Sequence, residues 1–404
     1  MKIQLPLPRR LLFLMAISIL LGGCQLSALR HADNLPPIAR AVDFDNSGNE
    51  IRRAEIPLGP TTTLSWVSDL NDAARYMAGL PGGINSVIGT ARDSPRWKLH
   101  QANINEMWRQ FSNYRQPRID AFSRSELGSL RNPSTVFYPF SGPDILFATA
   151  FFPQAQNYIL CGLEGADPLP NIGQLTAEQR ETGLDGLSTA ITTALNCSFF
   201  ITKDMRVDLQ RTEFKGTLPI MLVFLARLGI EVDSVVPIDL DPNGQIRETS
   251  GRGKGYHIRC KGLFGRGKNI YYFQQNLAND SLSPKAPFLK FIANFGPSPT
   301  YLKSASYLMH SEGFSTIRSA IINSSPAVLQ DDSGIPFRFF QSPPWDVRLY
   351  GTYTGVLDIF QENFQTDLLS AYEKQPLSVE SINFGVGYKF TAGQSNLLLA
   401  IRRH

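Results

Sequence analysis

Between Thr135 and Ile238 the chain alternates between two apolar periods, and this constrains the fold more than any other feature. Thr135 to Tyr138 has the length and side chains of a buried strand, Ile145 to Phe152 those of a short helix, and Asn157 to Leu163 those of a second strand. Leu187, Ala190, Ile191, Ala194 and Leu195 share one helical face. Leu218 to Leu228 makes a further helix that stops at Gly229, and Val232 to Ile238 a further strand. Such alternation predicts βαβ units in a mixed, Rossmann-like sheet with added hairpins. Beyond 255 the pattern turns to hairpins, with Tyr256–Lys261 facing Asn269–Gln275 and Ser381–Phe390 facing Asn396–Ile401. Ahead of it, residues 61–130 are helical. Trp66, Leu70, Ala73, Met77 and Leu80 recur every three or four residues, and Trp97, Ile104, Trp108 and Phe111 do the same. Tryptophans at that spacing read as core. The predicted class is α/β, with a helical segment at 61–130 layered on an α/β body at 131–404. At 43% hydrophobic and 18% charged over 404 residues, the chain is neither disordered nor fibrous.

The N-terminus carries an address. Lys2, Arg9 and Arg10 form a basic region, and Leu11 to Leu21 an apolar run of signal-peptide length that is too short to span a bilayer. It ends in Leu21-Gly22-Gly23-Cys24, which resembles the lipobox of bacterial lipoproteins. That resemblance implies a signal peptide at 1–23, a diacylglycerol on the Cys24 thiol, and further acylation of its freed amine. Two or three chains anchor firmly where one is marginal. Gln25 after the cysteine implies the outer membrane, facing the periplasm or the cell surface. Residues 24–60 then read as the lipidated cysteine and a tether, interrupted by Pro36, Pro37, Pro57 and Pro60. Within it, Asp43-Phe44-Asp45-Asn46-Ser47-Gly48 begins like a calcium loop. Ala54 stands where the loop needs a glutamate, so the segment reads as a solvated turn. Once the leader is removed, the 39 basic and 35 acidic residues come nearly into balance, which gives no support to nucleic-acid binding. Cys161, Cys197 and Cys260 permit at most one disulfide. No CxxC pair suggests a metal, and none is expected.

Four constellations could carry chemistry. The first is Tyr138-Pro139-Phe140-Ser141-Gly142-Pro143-Asp144, followed by Glu164. Strand, glycine loop, helix, strand and acidic end resemble the first half of a methyltransferase-like Rossmann domain. The resemblance implies ligand contacts from Ser141, Gly142, Asp144 and Glu164. The loop has one glycine where such loops carry two or three, Pro143 lacks a backbone donor, and an exported protein meets no nucleotide pool. No cofactor is therefore expected, and Asp144 is expected near a helix N-terminus. The second is Tyr301 to His310, read as one amphipathic helix on which Lys303, Tyr307 and His310 line up at i, i+4 and i+7. A lysine beside a tyrosine can lower the phenol pKa, and a histidine can move a proton near neutrality.

The third constellation is Asp331-Asp332 in the turn Gln330 to Pro336, at the end of the strand-like Ala327–Gln330. One carboxylate is expected to cap the turn and the other to face a cleft. The fourth is a basic stretch with Arg252, Lys254, Arg259, Lys261, Arg266 and Lys268. Arg259 and Lys261 share a strand face with His257. That face suits either anionic envelope glycan or lipid, or the protection of an exposed sheet edge. No G-x-S-x-G or H-E-x-x-H occurs. The phrases YPFSGPD, KSASYLMH, QDDSGIP and FGVGYKF…SNLLLAIR together resemble a family of uncharacterised bacterial proteins, which implies no activity.

Two function classes follow. One is a lipid-anchored binding or envelope-assembly protein. The other is a cofactor-free envelope enzyme, a hydrolase or transferase, using Lys303, Tyr307, His310 and Asp331 or Asp332. Convergence of those side chains would favour the enzyme, and dispersal would favour binding.

Overall fold

The computed structural model describes residues 62–82, 88–198, 209, 212–261, 267–374 and 379–403, all within one compact unit. The leader, Cys24, the tether with its Asp43–Gly48 turn, the Trp66 side chain and Arg266 lie outside the described residues.

Helices α1 (Thr62–Met77), α2 (Pro95–Gln110) and α3 (Gln116–Phe122) form the N-terminal layer. Ser94 starts α2 by accepting the Trp97 N–H, with Pro95 at the first helical position, where its missing donor costs nothing. Leu70, Ala73, Met77, Trp97, Ile104 and Phe111 are buried, as their spacing predicts. The Trp97 indole donates to the Tyr76 carbonyl at 3.0 Å, so this tryptophan is core.

The body is a sheet of strands β1 (Thr135–Tyr138), β2 (Asn157–Gly162), β3 (Val232–Leu240), β4 (Ile246–Glu248), β5 (Gly255–Cys260), β6 (Lys268–Gln274), β7 (Thr300–Leu302), β8 (Ala327–Gln330), β9 (Trp345–Gly351) and β10 (Asn396–Arg402). Their order is β4-β3-β5-β6-β2-β1-β7-β8-β10-β9. The run β6-β2-β1-β7-β8 is parallel, and the remaining pairings are antiparallel. Numbered along the chain, the parallel strands read 3-2-1-4-5, a Rossmann-like order whose direction of winding reverses between β1 and β7.

Both faces of this sheet are covered. Val136, Tyr138, Tyr158, Leu160, Tyr301, Leu329, Leu397 and Leu399 join one core, while Phe137, Ile159, Cys161, Leu302, Val328, Leu398 and Ala400 join the other. Strict period-two alternation with both sets apolar is what a doubly covered sheet demands. The first core also takes α4 (Ile145–Phe151), α5 (Ala177–Cys197) and α6 (Leu218–Arg227). Residues 218–225 of α6 are all buried, so burial rather than amphipathicity holds it, at about 1.5–3 kcal/mol per large apolar side chain. Buried residues of α7 (Pro287–Ala293), α8 (Ser315–Ser324) and α9 (Thr366–Lys374) pack on the other face.

Three expectations are corrected. Tyr301–His310 is not one helix: its first two residues lie in β7, Ser304 takes a left-handed backbone, and only Ala305–His310 is helical, as a 3-10 turn. Pairing of β7 with β1 and β8 overrides the helical period. Ser381–Phe390 makes no hairpin with β10, which instead inserts between β8 and β9. The strand carrying Arg259 is not an edge, since β5 lies between β3 and β6. Cys161, Cys197 and Cys260 are unpaired.

Candidate functional site

In an open α/β sheet, ligands sit beyond the carboxyl ends of the strands where the winding reverses. Here those ends carry Ser141–Asp144 after β1, Glu164 after β2, Lys303–Ser304 after β7 and Asp331–Asp332 after β8.

Asp144 caps α4, its Oδ1 accepting the Phe147 N–H at 3.1 Å. Its Oδ2 accepts the Tyr138 hydroxyl at 2.9 Å and pairs with Lys303 Nζ at 2.7 Å. The Asp144 and Lys303 side chains are 4% and 2% exposed, so this ion pair is buried. Lys303 also donates to the Ser198 carbonyl and lies 3.9 Å from the centre of the Phe147 ring. Burial lowers the Lys303 pKa, and Asp144 and then Asp331 draw it back. Ser198, at the end of α5, is itself left-handed.

The turn-capping role expected of one carboxylate falls to Asp331, while Asp332, expected to face a cleft, is buried against Tyr307 and Asn396. Asp331 holds the turn: its Oδ1 accepts the Ser333 N–H at 3.0 Å and the Ser333 hydroxyl, and its Oδ2 accepts the Ser304 N–H at 3.0 Å. A Cβ at position 387 would stand 2.0 Å from that Oδ2, so Gly387, at φ +70°, permits the close approach. Burial, with Asp332 adding to it, pushes Asp331 up to about 7. Asp332 accepts the Tyr307 hydroxyl and the Asn396 amide at 2.8 Å, and its carbonyl accepts Gln365 Nε2 at 2.9 Å. It too is raised by burial, with Tyr307 and Asn396 pulling it down.

The idea that Lys303 lowers the Tyr307 phenol is corrected. Lys303 turns to Asp144, while burial and Asp332 raise Tyr307, which therefore stays protonated as a donor. The Tyr307 ring stacks at 5.9 Å and 4° on Tyr388 and lies 4.6 Å from Phe360. His310, its ring 5.4 Å from that of Tyr307, is pushed down to about 4 by burial and is neutral near pH 7.

The loop after β1 is tied to the sheet. Ser141 Oγ accepts the Cys161 N–H at 3.1 Å. Glu164 folds back over two glycines: a Cβ at Gly162 would stand 2.1 Å from its Oε2, and one at Gly142 3.6 Å. Its Oε2 accepts the Tyr272 hydroxyl at 3.4 Å. Ser141 thus closes the end of β2, and Glu164 turns toward Tyr272 rather than outward.

The structure brings Asp144, Lys303, Tyr307, Asp331 and Asp332 together, with His310 beside Tyr307. Arg259 and Lys261 do not join them. Arg259 donates to Ser234 Oγ at 2.8 Å, Lys261 lies 3.3 Å from Glu231, and β6 and β2 intervene. Arg252 pairs with Asp167 at 2.7 Å, and Lys268 turns inward.

Tyr138, Ser198, Ser304, Gln365, Gly387, Tyr388 and Asn396 belong to the site without a sequence signal that singled them out. Tyr138 and Ser304 lie inside flagged segments, and Gly387, Tyr388 and Asn396 inside the phrase FGVGYKF…SNLLLAIR, but the sequence assigns none of them a role. Among the described residues the non-glycine positions with left-handed backbone are Phe140, Ser198 and Ser304, all at this junction. Such conformations cost about 1–3 kcal/mol each and gather at functional sites. Beside the junction, an open groove of about 480 Å³ is lined by Thr352, Tyr353, Thr354, Tyr372 and Glu373. The Tyr353 hydroxyl accepts the Gln365 N–H at 3.0 Å, and Gln365 in turn holds Asp332.

Comparison of the chain with family models, curated proteins and solved structures finds no match.

Proposed function

We propose that this chain is a lipid-anchored envelope enzyme, a hydrolase or transferase that works without a nucleotide cofactor at the carboxyl ends of β1, β7 and β8. The observation that carries the proposal is the convergence of the Asp144–Lys303 pair with Tyr307, Asp331 and Asp332 at the point where the winding reverses. Buried, mutually perturbed ionisable groups at such a point are what acid–base chemistry requires. In this proposal Asp331, near 7, moves the proton. Protonated Tyr307 donates to developing negative charge, and the Asp144–Lys303 pair fixes the floor of the site. The groove along Tyr353 and Tyr372 is the approach for substrate.

A binding role resting on the basic strand has weaker support, because Arg252, Arg259, Lys261 and Lys268 each have a partner of their own. The anchor at Cys24 belongs to the same proposal. Cys24→Ser should leave a larger precursor that takes up no radioactive palmitate, and equal labelling of mutant and wild type would remove the anchor.

The enzyme is tested with the full-length mature protein in detergent, assayed on chromogenic carboxylic esters, amides, phosphoesters and glycosides. We expect turnover of one class, with a rate that inflects near pH 7 and a loss of turnover in Asp331→Asn and Tyr307→Phe. Absence of turnover of every class, or turnover indifferent to both substitutions, would overturn the proposal.

A further inference from the structure

Ser304 combines three features that the role just described does not use. It stands directly between a strand and a helical turn, at φ 62° and ψ −91°. A serine forced into that backbone at a strand-to-helix turn is the local geometry of a nucleophile elbow, reached here without the G-x-S-x-G glycines. Its hydroxyl is buried and has no hydrogen-bond partner. Of the eight buried side-chain polar atoms without a partner among the described residues, four lie in this one segment: Tyr301 Oη, Ser304 Oγ, Ser306 Oγ and His310 Nε2. Native interiors satisfy the great majority of such atoms, so their concentration here calls for a ligand-directed reason. Finally, Ser304 offers its own N–H to Asp331 Oδ2 at 3.0 Å, which sets a carboxylate against the same residue.

The surroundings suggest what the serine would attack. Tyr307, Phe360 and Tyr388 form a packed aromatic wall beside Asp332. The loops carrying Phe360 and Tyr388 are tied together by Lys389, which donates to Thr354 Oγ1 at 2.8 Å and to the Gly355 carbonyl. Five large apolar side chains are exposed among the described residues, and three of them sit on these two loops: Ile359 at 68%, Phe364 at 42% and Phe390 at 37%. Exposed apolar side chains on the loops that carry the aromatic wall fit an acyl chain better than a sugar or a phosphate.

We infer that Ser304 is the nucleophile of an acyl-ester hydrolase whose substrate carries an apolar acyl chain, an assignment that rests on the enzyme proposed above. Ser304 Oγ bonds to the carbonyl carbon while its proton passes to Asp331. The carbon–oxygen bond to the alcohol breaks with its electron pair on the alcohol oxygen, which takes that proton and leaves. Water then attacks the acyl-serine, again giving its proton to Asp331. The proton returns to Ser304 Oγ as the carboxylic acid departs, so ester and water become acid and alcohol. Asp331, with its pKa near 7, is suited to carry that proton.

The test uses a fluorophosphonate probe and the p-nitrophenyl esters of butyrate and decanoate, with the full-length mature protein in detergent. The expected results are a phosphonyl adduct on the peptide carrying Ser304, faster turnover of decanoate than of butyrate, and a loss of at least about a thousandfold in Ser304→Ala. Ser304→Gly is the second variant. Glycine takes φ near +60° without strain, so it should melt no lower than wild type and still be inactive. An adduct on another residue, no adduct at all, or turnover retained in Ser304→Gly would overturn the nucleophile. A preference for butyrate would overturn the apolar acyl class. If Ser304→Gly stays active while Asp331→Asn is dead, only this inference fails; if no ester, amide, phosphoester or glycoside is turned over, the enzyme fails with it.

Discussion

Two buried lysines show how differently the regions around them are built. Lys268, at the start of β6, is held by neutral oxygens: the carbonyls of Pro153 and Ala155 at 2.8 and 2.7 Å, and the Tyr158 hydroxyl at 3.3 Å. Burial pushes it down to about 8, and among the described residues none of those it bonds is left-handed or lacks a partner. Lys303, at the carboxyl end of β7, is paired with an acid, touches left-handed Ser198, precedes left-handed Ser304, and is followed by unpartnered hydroxyls. Both are interior cations that the fold must satisfy. The first is satisfied with no strain, as a structural clamp would be. Around the second, strain and unsatisfied groups persist, and the surrounding structure must over-determine them. The comparison separates a lysine that holds the fold from one the fold holds in place.

Breaking the Lys303 pair should give the largest effect. Asp144→Asn leaves a buried ammonium without its counter-charge, and Lys303→Met leaves a buried carboxylate without its own. Each should cost about 3–5 kcal/mol in denaturant midpoints. The double variant Asp144→Leu/Lys303→Met should recover most of that loss. A double variant as unstable as the two singles combined would contradict the pair.

Lys268→Met should cost less, about 1–3 kcal/mol, because it leaves carbonyls unsatisfied but removes a buried charge. The two lysines also separate by pH. Lys268 has a folded pKa near 8 against 10.5 for a free lysine. Between those values the unfolded chain holds the extra proton, so stability rises with pH. Lys268→Met should flatten that rise, measured by melting at pH 8 and pH 10.

At lower pH, two groups of the site oppose one another. Asp331, raised from 3.8 to about 7, makes the folded state hold the extra proton in that window, so stability falls as pH rises from about 4 to 7. Asp332, also raised, adds to the fall. His310, lowered from 6.5 to about 4, does the reverse, and stability rises with pH through its window. Wild type should therefore show a shallow dependence. His310→Gln should expose the fall and Asp331→Asn the rise; parallel curves in all three proteins would remove both shifts. The smallest effect belongs to the basic strand. Arg259→Gln and Lys261→Gln should leave both the melting temperature and binding to anionic vesicles unchanged, because these are exposed pairs.

Strands β1, β2, β3, β5, β6, β8 and β10 were legible as short apolar runs between helices that keep their own period, whereas β4, β7 and β9 were not. The YPFSGPD loop and the Asp331–Asp332 turn were legible because turn and cap chemistry is local. Ser304 was hidden. Tyr301 to His310 carries a helical apolar period, and only pairing of Tyr301 and Leu302 with neighbouring strands divides it. Gln365, Gly387 and Asn396 reach the site from more than 30 residues beyond Asp332, through contacts that the order of β8, β10 and β9 creates. The alignment of Lys303, Tyr307 and His310 along a helix gave the right residues by the wrong geometry. In the fold, Lys303 faces β1 and Tyr307 faces the β8 turn.

The central claim is that the ends of β1, β7 and β8 form one reacting site with Asp331 as its proton carrier. The most direct measurement is the rate of fluorophosphonate labelling at Ser304, followed by peptide mass from pH 5 to 9 in wild type and Asp331→Asn. The account predicts a wild-type rate that rises with a midpoint near pH 7 and a slow, pH-independent rate in the variant. Equal rates in the two proteins, or a wild-type rate without that midpoint, would contradict it.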